Sequence, residues 1–173
     1  MSTPSYTITI RVYQTNPTAG GEGVGEDQLL MAQARQHGRG CRQDGGFFDI
    51  VEKTSWWSSW GVMKWTESEG QQVFYLASSG ACGTLRFVNV SNPKESFLVA
   101  VGVHNYKRWC DIVPNLTNEQ TGAVINPQYY GDRSNVREQQ FSKYSVQNAT
   151  GRTITINFTQ ADGQDLKADI IIG

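Results

Sequence analysis

The 173-residue chain is poor in the residues that build metal centres and cross-links. Its two histidines, His37 and His104, stand far apart, and its three cysteines, Cys41, Cys82 and Cys110, are an odd number at wide spacing. Neither a disulfide framework nor a tetrahedral zinc set fits that pattern, so free thiols and no metal or other cofactor are expected. Charge of one sign is scarce as well. Fifteen basic residues face sixteen acidic ones, for a net charge of -1, which removes any broad attraction to phosphate backbones or anionic lipid and makes nucleic acid a poor partner. No apolar run approaches membrane-spanning length, and MSTPSYTITI lacks the basic start and continuous apolar stretch of a signal peptide. A soluble, cytoplasmic protein is expected. Asn89, Asn115, Asn148 and Asn157 each open an N-x-Ser/Thr sequon, but without a secretory route they read as polar loop or strand residues. No repeat or heptad is visible, and 38% hydrophobic with 18% charged residues suits one core and a single domain over 1–173.

What is present is mostly strand. YTITIRVYQ alternates strictly, with Tyr6, Ile8, Ile10 and Val12 on one face and Thr7, Thr9, Arg11 and Tyr13 on the other. RTITINFTQ repeats the alternation, and the turn signal Asp162-Gly163 leads into the apolar strand KADIIIG, predicting a terminal hairpin. FFDIVEKT, QQVFYLASS, GTLRFVNV and ESFLVAVGV read as further short strands, the pattern of an antiparallel sandwich. From about Asn118 to Tyr144 the alternation lapses, and two short helices broken near Pro127 and Gly131 are predicted. Residues 20–46 stand outside this scheme. They hold eight of the eighteen glycines and only Asp27 to Gln36 has helical tendency, so a long exposed insertion is expected.

The segment GVHNYKRWCDIV, Gly102 to Val113, concentrates the chemistry. Cys110, His104 and Asp111 are the residue types of a thiol nucleophile, a base and an orienting acid, but no strand-to-helix elbow exposes the thiol, and a free cysteine commonly packs as a small hydrophobe. GEGVGE in the insertion lacks the preceding strand and the lysine of a phosphate cradle. A saccharide suits the cluster: its hydroxyls want short planar donors and acceptors, and its apolar ring face lies against Tyr or Trp. The residue types equally fit core aromatics, Tyr106 and Trp109, beside a solvated edge formed by Lys107 and Arg108.

In wording, RVYQTNP (11–17), FFDIVEKT (47–54), SSGACGTLRF (78–87), GVHNYKRWCDIV (102–113), GAVINPQYY (122–130) and the ending DLKADIIIG closely resemble the fungal fruit-body lectins, in the same order and over nearly the whole chain outside the insertion. The resemblance implies a mainly β, actinoporin-like antiparallel sandwich of two sheets connected by a helix-loop-helix. It also implies a carbohydrate-binding protein, not an enzyme, with two sites per subunit and assembly as a homodimer or homotetramer. One site prefers galactosyl-β1,3-N-acetylgalactosamine, the O-linked core disaccharide. Its family positions fall on Ser79, Gly80, His104 and Asn105, and Ser59 stands where the family has an alanine, in the divergent stretch SWWSSWGVMKW (55–65). The other prefers terminal N-acetylglucosamine, as on N-glycans, with positions on Asp111, Ile112, Arg133 and Tyr144. There the family usually carries threonine where this chain has Pro114, which removes one hydroxyl and one N–H. A defence role against animals that feed on the fungus also follows from the resemblance. Two competing readings remain: a membrane-active pore former of the same fold, which needs a detachable amphipathic N-terminal helix where this chain has a strand pattern, and a storage or interaction protein whose insertion has impaired sugar binding.

Overall fold

A computed structural model describes residues 5–14, 47–56 and 63–173. Ser59, His37, Cys41 and the whole 20–46 stretch, with its helical tendency at Asp27 to Gln36, lie outside these residues. In chain order the strands are β1 (Tyr6–Gln14), β2 (Phe48–Trp56), β3 (Met63–Ser68), β4 (Gln71–Leu76), β5 (Cys82–Asn89), β6 (Ser96–His104) and β7 (Lys107–Pro114). A helical passage follows, made of α1 (Gly122–Ile125), a 3-10 turn (Asn126–Tyr130) and α2 (Ser134–Gln139), before β8 (Lys143–Gln147), β9 (Thr153–Gln160) and β10 (Asp165–Ile172) close the fold.

The strands form a six-stranded sheet in the order β3-β4-β1-β10-β9-β8 and a four-stranded sheet in the order β2-β5-β6-β7. The helical passage joins them, since it leaves the edge strand of one and enters the edge strand of the other. One pairing departs from the antiparallel expectation: β1 runs parallel to β10, with Ile8 opposite Leu166 and Val12 opposite Ile170. Alternation along YTITIRVYQ sets which face is buried but carries no signal of strand direction. The membrane reading also loses its detachable segment, because β1 lies between β4 and β10. Among the described residues no helix is long and apolar enough to cross a membrane.

Three strands were not anticipated from sequence: β3, β7 and β8. β3 pairs with β4 across a two-residue turn, Glu69 at φ +52 and Gly70 at φ +74, the backbone of a type I′ hairpin. β8 occupies Lys143–Gln147, part of which the sequence pattern assigns to a helix; α2 stops at Gln139 because Gln140 turns left-handed at φ +49.

The main core fills the space between the sheets: Ile8 and Ile10 of β1, Phe74 and Leu76 of β4, Phe87 of β5, Ile154 and Ile156 of β9 and Ile170 of β10 are all fully buried. From β6 the residues Phe97, Val99, Val101 and Val103 face this core, while Leu98 and Ala100 face a second cluster with Trp109, Ile125 and Tyr129. Each such large side chain contributes roughly 1.5–3 kcal/mol by leaving water. The helices, of four and six residues, are too short to stand alone and are held by this packing. Gly122 begins α1 where an added Cβ would collide with the Thr54 and Thr84 hydroxyls, and its N–H donates to Glu52 Oε1 at 2.9 Å. Gln14 ties the sheets: its side-chain amide donates to the carbonyl of Phe48 and accepts from its N–H, each at 2.8 Å.

The end of the sandwich where β6 begins is closed by a buried carboxylate. Glu95 accepts hydrogen bonds from Asn89 (2.6 Å), Asn148 (2.7 Å), Thr150 (2.9 Å) and Arg152 (2.8 Å). Two of the four sequon asparagines, Asn89 and Asn148, are therefore buried network members. Burial opposes the Glu95 charge, but Arg152 and the three neutral donors overcome it and hold the carboxyl down to about 2. A depressed carboxyl stabilises the fold above the unfolded-state pKa, roughly 4.3, and that contribution disappears as pH falls through about 2. Urea unfolding of Glu95→Gln should show a loss of about 3 kcal/mol at pH 7 and a flatter decline between pH 5 and 2 than the parent; an unchanged midpoint would contradict this role.

Candidate functional site

Four of the residues assigned to the first sugar site come together at the opposite end of β6, about 30 Å from its start at roughly 3.4 Å per residue. The loop after β4 carries Ser79 and Gly80, and the β6–β7 hairpin carries His104 and Asn105. Gly80 N–H donates to Val103 O at 2.7 Å, Val103 N–H to Ala81 O at 3.2 Å, and Tyr106 N–H to Ser79 Oγ at 3.1 Å. The hairpin turn is Asn105 at φ +49 and Tyr106 at φ +63, again two left-handed residues. Gly80 itself sits at φ +103, a conformation that disfavours side chains, and its carbonyl accepts a hydrogen bond from the Tyr130 hydroxyl. With both its backbone groups engaged, Gly80 serves this end by having no side chain.

The helical passage supports the cluster from beside it. Gln140 Nε2 donates to His104 O at 2.9 Å, and Arg137 lies over the Tyr130 ring, 4.4 Å from its centre. Burial lowers the His104 pKa, the Arg137 charge lowers it further, and Glu138 only partly opposes them, so the imidazole is neutral at pH 7. Asn105 is exposed. Of these supporting residues, Tyr130 ends the resembling segment GAVINPQYY but was not assigned to a site, and Arg137 and Gln140 carry no motif.

The second set is divided by the pleat of β7. Asp111 points to the helical layer, where its Oδ2 accepts from Tyr129 OH at 2.8 Å and from Arg133 at 2.5 Å. Arg133 also lies 5.4 Å from the centre of the Tyr129 ring. Ile112 points the other way, into the core between the sheets, against which Tyr144 of β8 packs while stacking on Phe141 at 5.7 Å. Asp111 with Arg133 and Ile112 with Tyr144 thus flank the β7 edge from its two sides. Pro114 ends β7, where an edge strand tolerates the missing N–H. Tyr129, the buried partner of Asp111, was not singled out from sequence.

Cys110, His104 and Asp111 do not assemble into a thiol-based reaction centre. Cys110 is fully buried with Sγ 3.3 Å from Phe141 O, and its neighbour Asp111 points to the opposite face of β7. In the ladder Cys110 pairs with Val101 and His104 with Lys107, three positions or about 10 Å apart along the strand. Burial pushes both the Cys110 and the Cys82 thiol up to about 12. Both should resist iodoacetamide at pH 7.5 in the folded protein and react on unfolding, as peptide mapping will show; modification of either in the native state would contradict this burial. An open depression of about 290 Å³ on the outer face of the six-stranded sheet, lined by Thr9, Arg11, Gln71 and Lys167, has no aromatic wall and belongs to neither cluster.

The described residues form a two-sheet sandwich with a helical cover, polar clusters at its strand ends and edge, and buried Cys82 and Cys110, an arrangement suited to binding. Residues 41–170 match the fungal fruit body lectin family, and the chain belongs to it. It is 40% identical over 169 residues to the Boletus edulis lectin, covering 96% of this chain and 98% of that one. Crystal structures of Xerocomus chrysenteron lectin superpose on it with 40% identity, at TM-scores of 0.79 for a substituted form, over 99% of both chains, and 0.78 for the wild type, over 98% and 99%. The protein is a carbohydrate-binding lectin, and membership of this family implies a non-enzymatic role.

Proposed function

We propose that this lectin binds two different glycans at separate places: galactosyl-β1,3-N-acetylgalactosamine at the Ser79, Gly80, His104, Asn105 cluster and terminal N-acetylglucosamine at the β7 edge. The observation that carries the reading is the convergence of the first four residues from two distant segments, locked by the Tyr106-to-Ser79 and Gly80-to-Val103 hydrogen bonds. Ser79 Oγ already accepts one hydrogen bond, so its O–H is free to donate to a sugar hydroxyl while the Asn105 amide both donates and accepts. That pairing suits the axial 4-hydroxyl of a galactose-type ring. At the second place, both donors to Asp111 fall on Oδ2; Oδ1 is the acceptor for a sugar hydroxyl, Arg133 adds N–H donors for the acetamido oxygen, and Ile112, Pro114 and Tyr144 form the apolar and edge contacts.

Single sites of this kind bind in the millimolar to micromolar range, about -4 to -8 kcal/mol. Useful adhesion to glycoproteins then requires repetition, which adds roughly a hundred- to ten-thousand-fold. We therefore read the working form as a homodimer or homotetramer, cytoplasmic in the fungal cell and active in defence once ingested.

Titration calorimetry on the intact chain, Asn105→Ala and Arg133→Ala tests the assignment. The disaccharide should lose at least tenfold affinity in Asn105→Ala alone, and N-acetylglucosamine in Arg133→Ala alone. Silence of the intact chain toward both sugars, or joint loss of both in one variant, would overturn the two-site reading.

A further inference from the structure

Within the β6–β7 hairpin, packing accounts for Trp109 and Cys110, which are fully buried, but not for Tyr106, whose ring is 68% exposed. Its backbone is equally unexplained. Tyr106 occupies the second position of a two-residue turn at φ +63, where glycine is the unstrained choice and a bulky residue is an outlier. The β3–β4 hairpin has Gly70 at the corresponding place, at φ +74. Asn105 tolerates its own left-handed conformation because asparagine does so generally; tyrosine has no such excuse. The turn is nevertheless held firmly. Tyr106 N–H donates to Ser79 Oγ at 3.1 Å on one side, and Gln140 Nε2 donates to His104 O at 2.9 Å on the other. A large aromatic ring, kept in water on a strained but anchored backbone beside Ser79 and Asn105, is the combination that functional positions retain.

We propose that Tyr106 is the aromatic platform of the first cluster, its exposed ring packing against the apolar C–H face of a galactose-type pyranose whose hydroxyls meet Asn105 and Ser79. This rests on the reading of that cluster as the galactosyl-disaccharide site. The ring supplies contact area while the polar pair selects the epimer, and the rigid turn spares the ordering that a loosely held aromatic would need on binding.

Strain and function make opposite demands at this position, and that gives a signature. Tyr106→Gly relieves the backbone and removes the platform, so thermal unfolding should rise by about 2–4 °C while affinity for galactosyl-β1,3-N-acetylgalactosamine falls about tenfold and binding of N-acetylglucosamine stays the same. Tyr106→Phe keeps the ring and should bind the disaccharide within about twofold of the parent. Unchanged disaccharide affinity in Tyr106→Gly overturns the platform alone. A loss in Tyr106→Phe as large as in Tyr106→Gly assigns the effect to the hydroxyl and overturns stacking. A lowered melting temperature with both sugars weakened marks Tyr106 as structural and likewise overturns it. Silence of the intact chain toward the disaccharide overturns the site reading and the platform with it.

Discussion

The central strand β6 has no face in water, and most of the structure follows from that. One side of β6, Phe97, Val99, Val101 and Val103, is covered by the six-stranded sheet, and the other, Leu98 and Ala100, must be covered by something else. The helical passage between β7 and β8 is that cover. Its helices are too short to form by propensity, so sheet and helices each supply the burial that the other needs. The two polar clusters are by-products of this mutual dependence. Tyr129 and Tyr130, adjacent in sequence, reach different clusters: one donates to Asp111 and the other to the Gly80 carbonyl.

Polar groups in the interior follow a second rule, that a carboxylate taken from water is matched donor for donor. Glu95 has four donors from two segments and closes one end of the sandwich. Asp111 has two, both on one oxygen. Full satisfaction makes the first a structural staple, and partial satisfaction leaves the second with chemistry to offer. At the other end of β6 the arrangement is different: the turn is held by hydrogen bonds of its backbone while Asn105 and Tyr106 remain exposed. The molecule thus has a sealed end and a presenting end.

How much of this was readable in advance depends on the signal each element emits. β1 and β9 alternate strictly and were placed almost to the residue, and the Asp162-Gly163 turn marked the hairpin from β9 into the apolar β10. β3 was missed because Met63–Ser68 lies mostly exposed and carries no apolar stripe, and β8 because its five residues adjoin a helix with no stop signal other than the left-handed Gln140. The hairpin at Asn105 was also hidden, since the Asn-Gly signature of its turn type is spoiled by tyrosine. The residue that obscured the turn is the one assigned a function of its own.

Residue identity and order by themselves marked most of the short strands, and showed that three widely spaced cysteines do not read as a framework or metal set and that GVHNYKRWCDIV concentrates polar and aromatic residue types. These are local properties of periodicity, turn residues and composition. Tertiary structure alone decided that β1 and β10 run parallel, that Ser79 meets Tyr106 across the chain, that Asp111 and Ile112 face opposite ways, and that Trp109 is buried where Tyr106 is not. Such facts depend on which strands become neighbours and which faces are covered, and no stretch of sequence read by itself contains its partner.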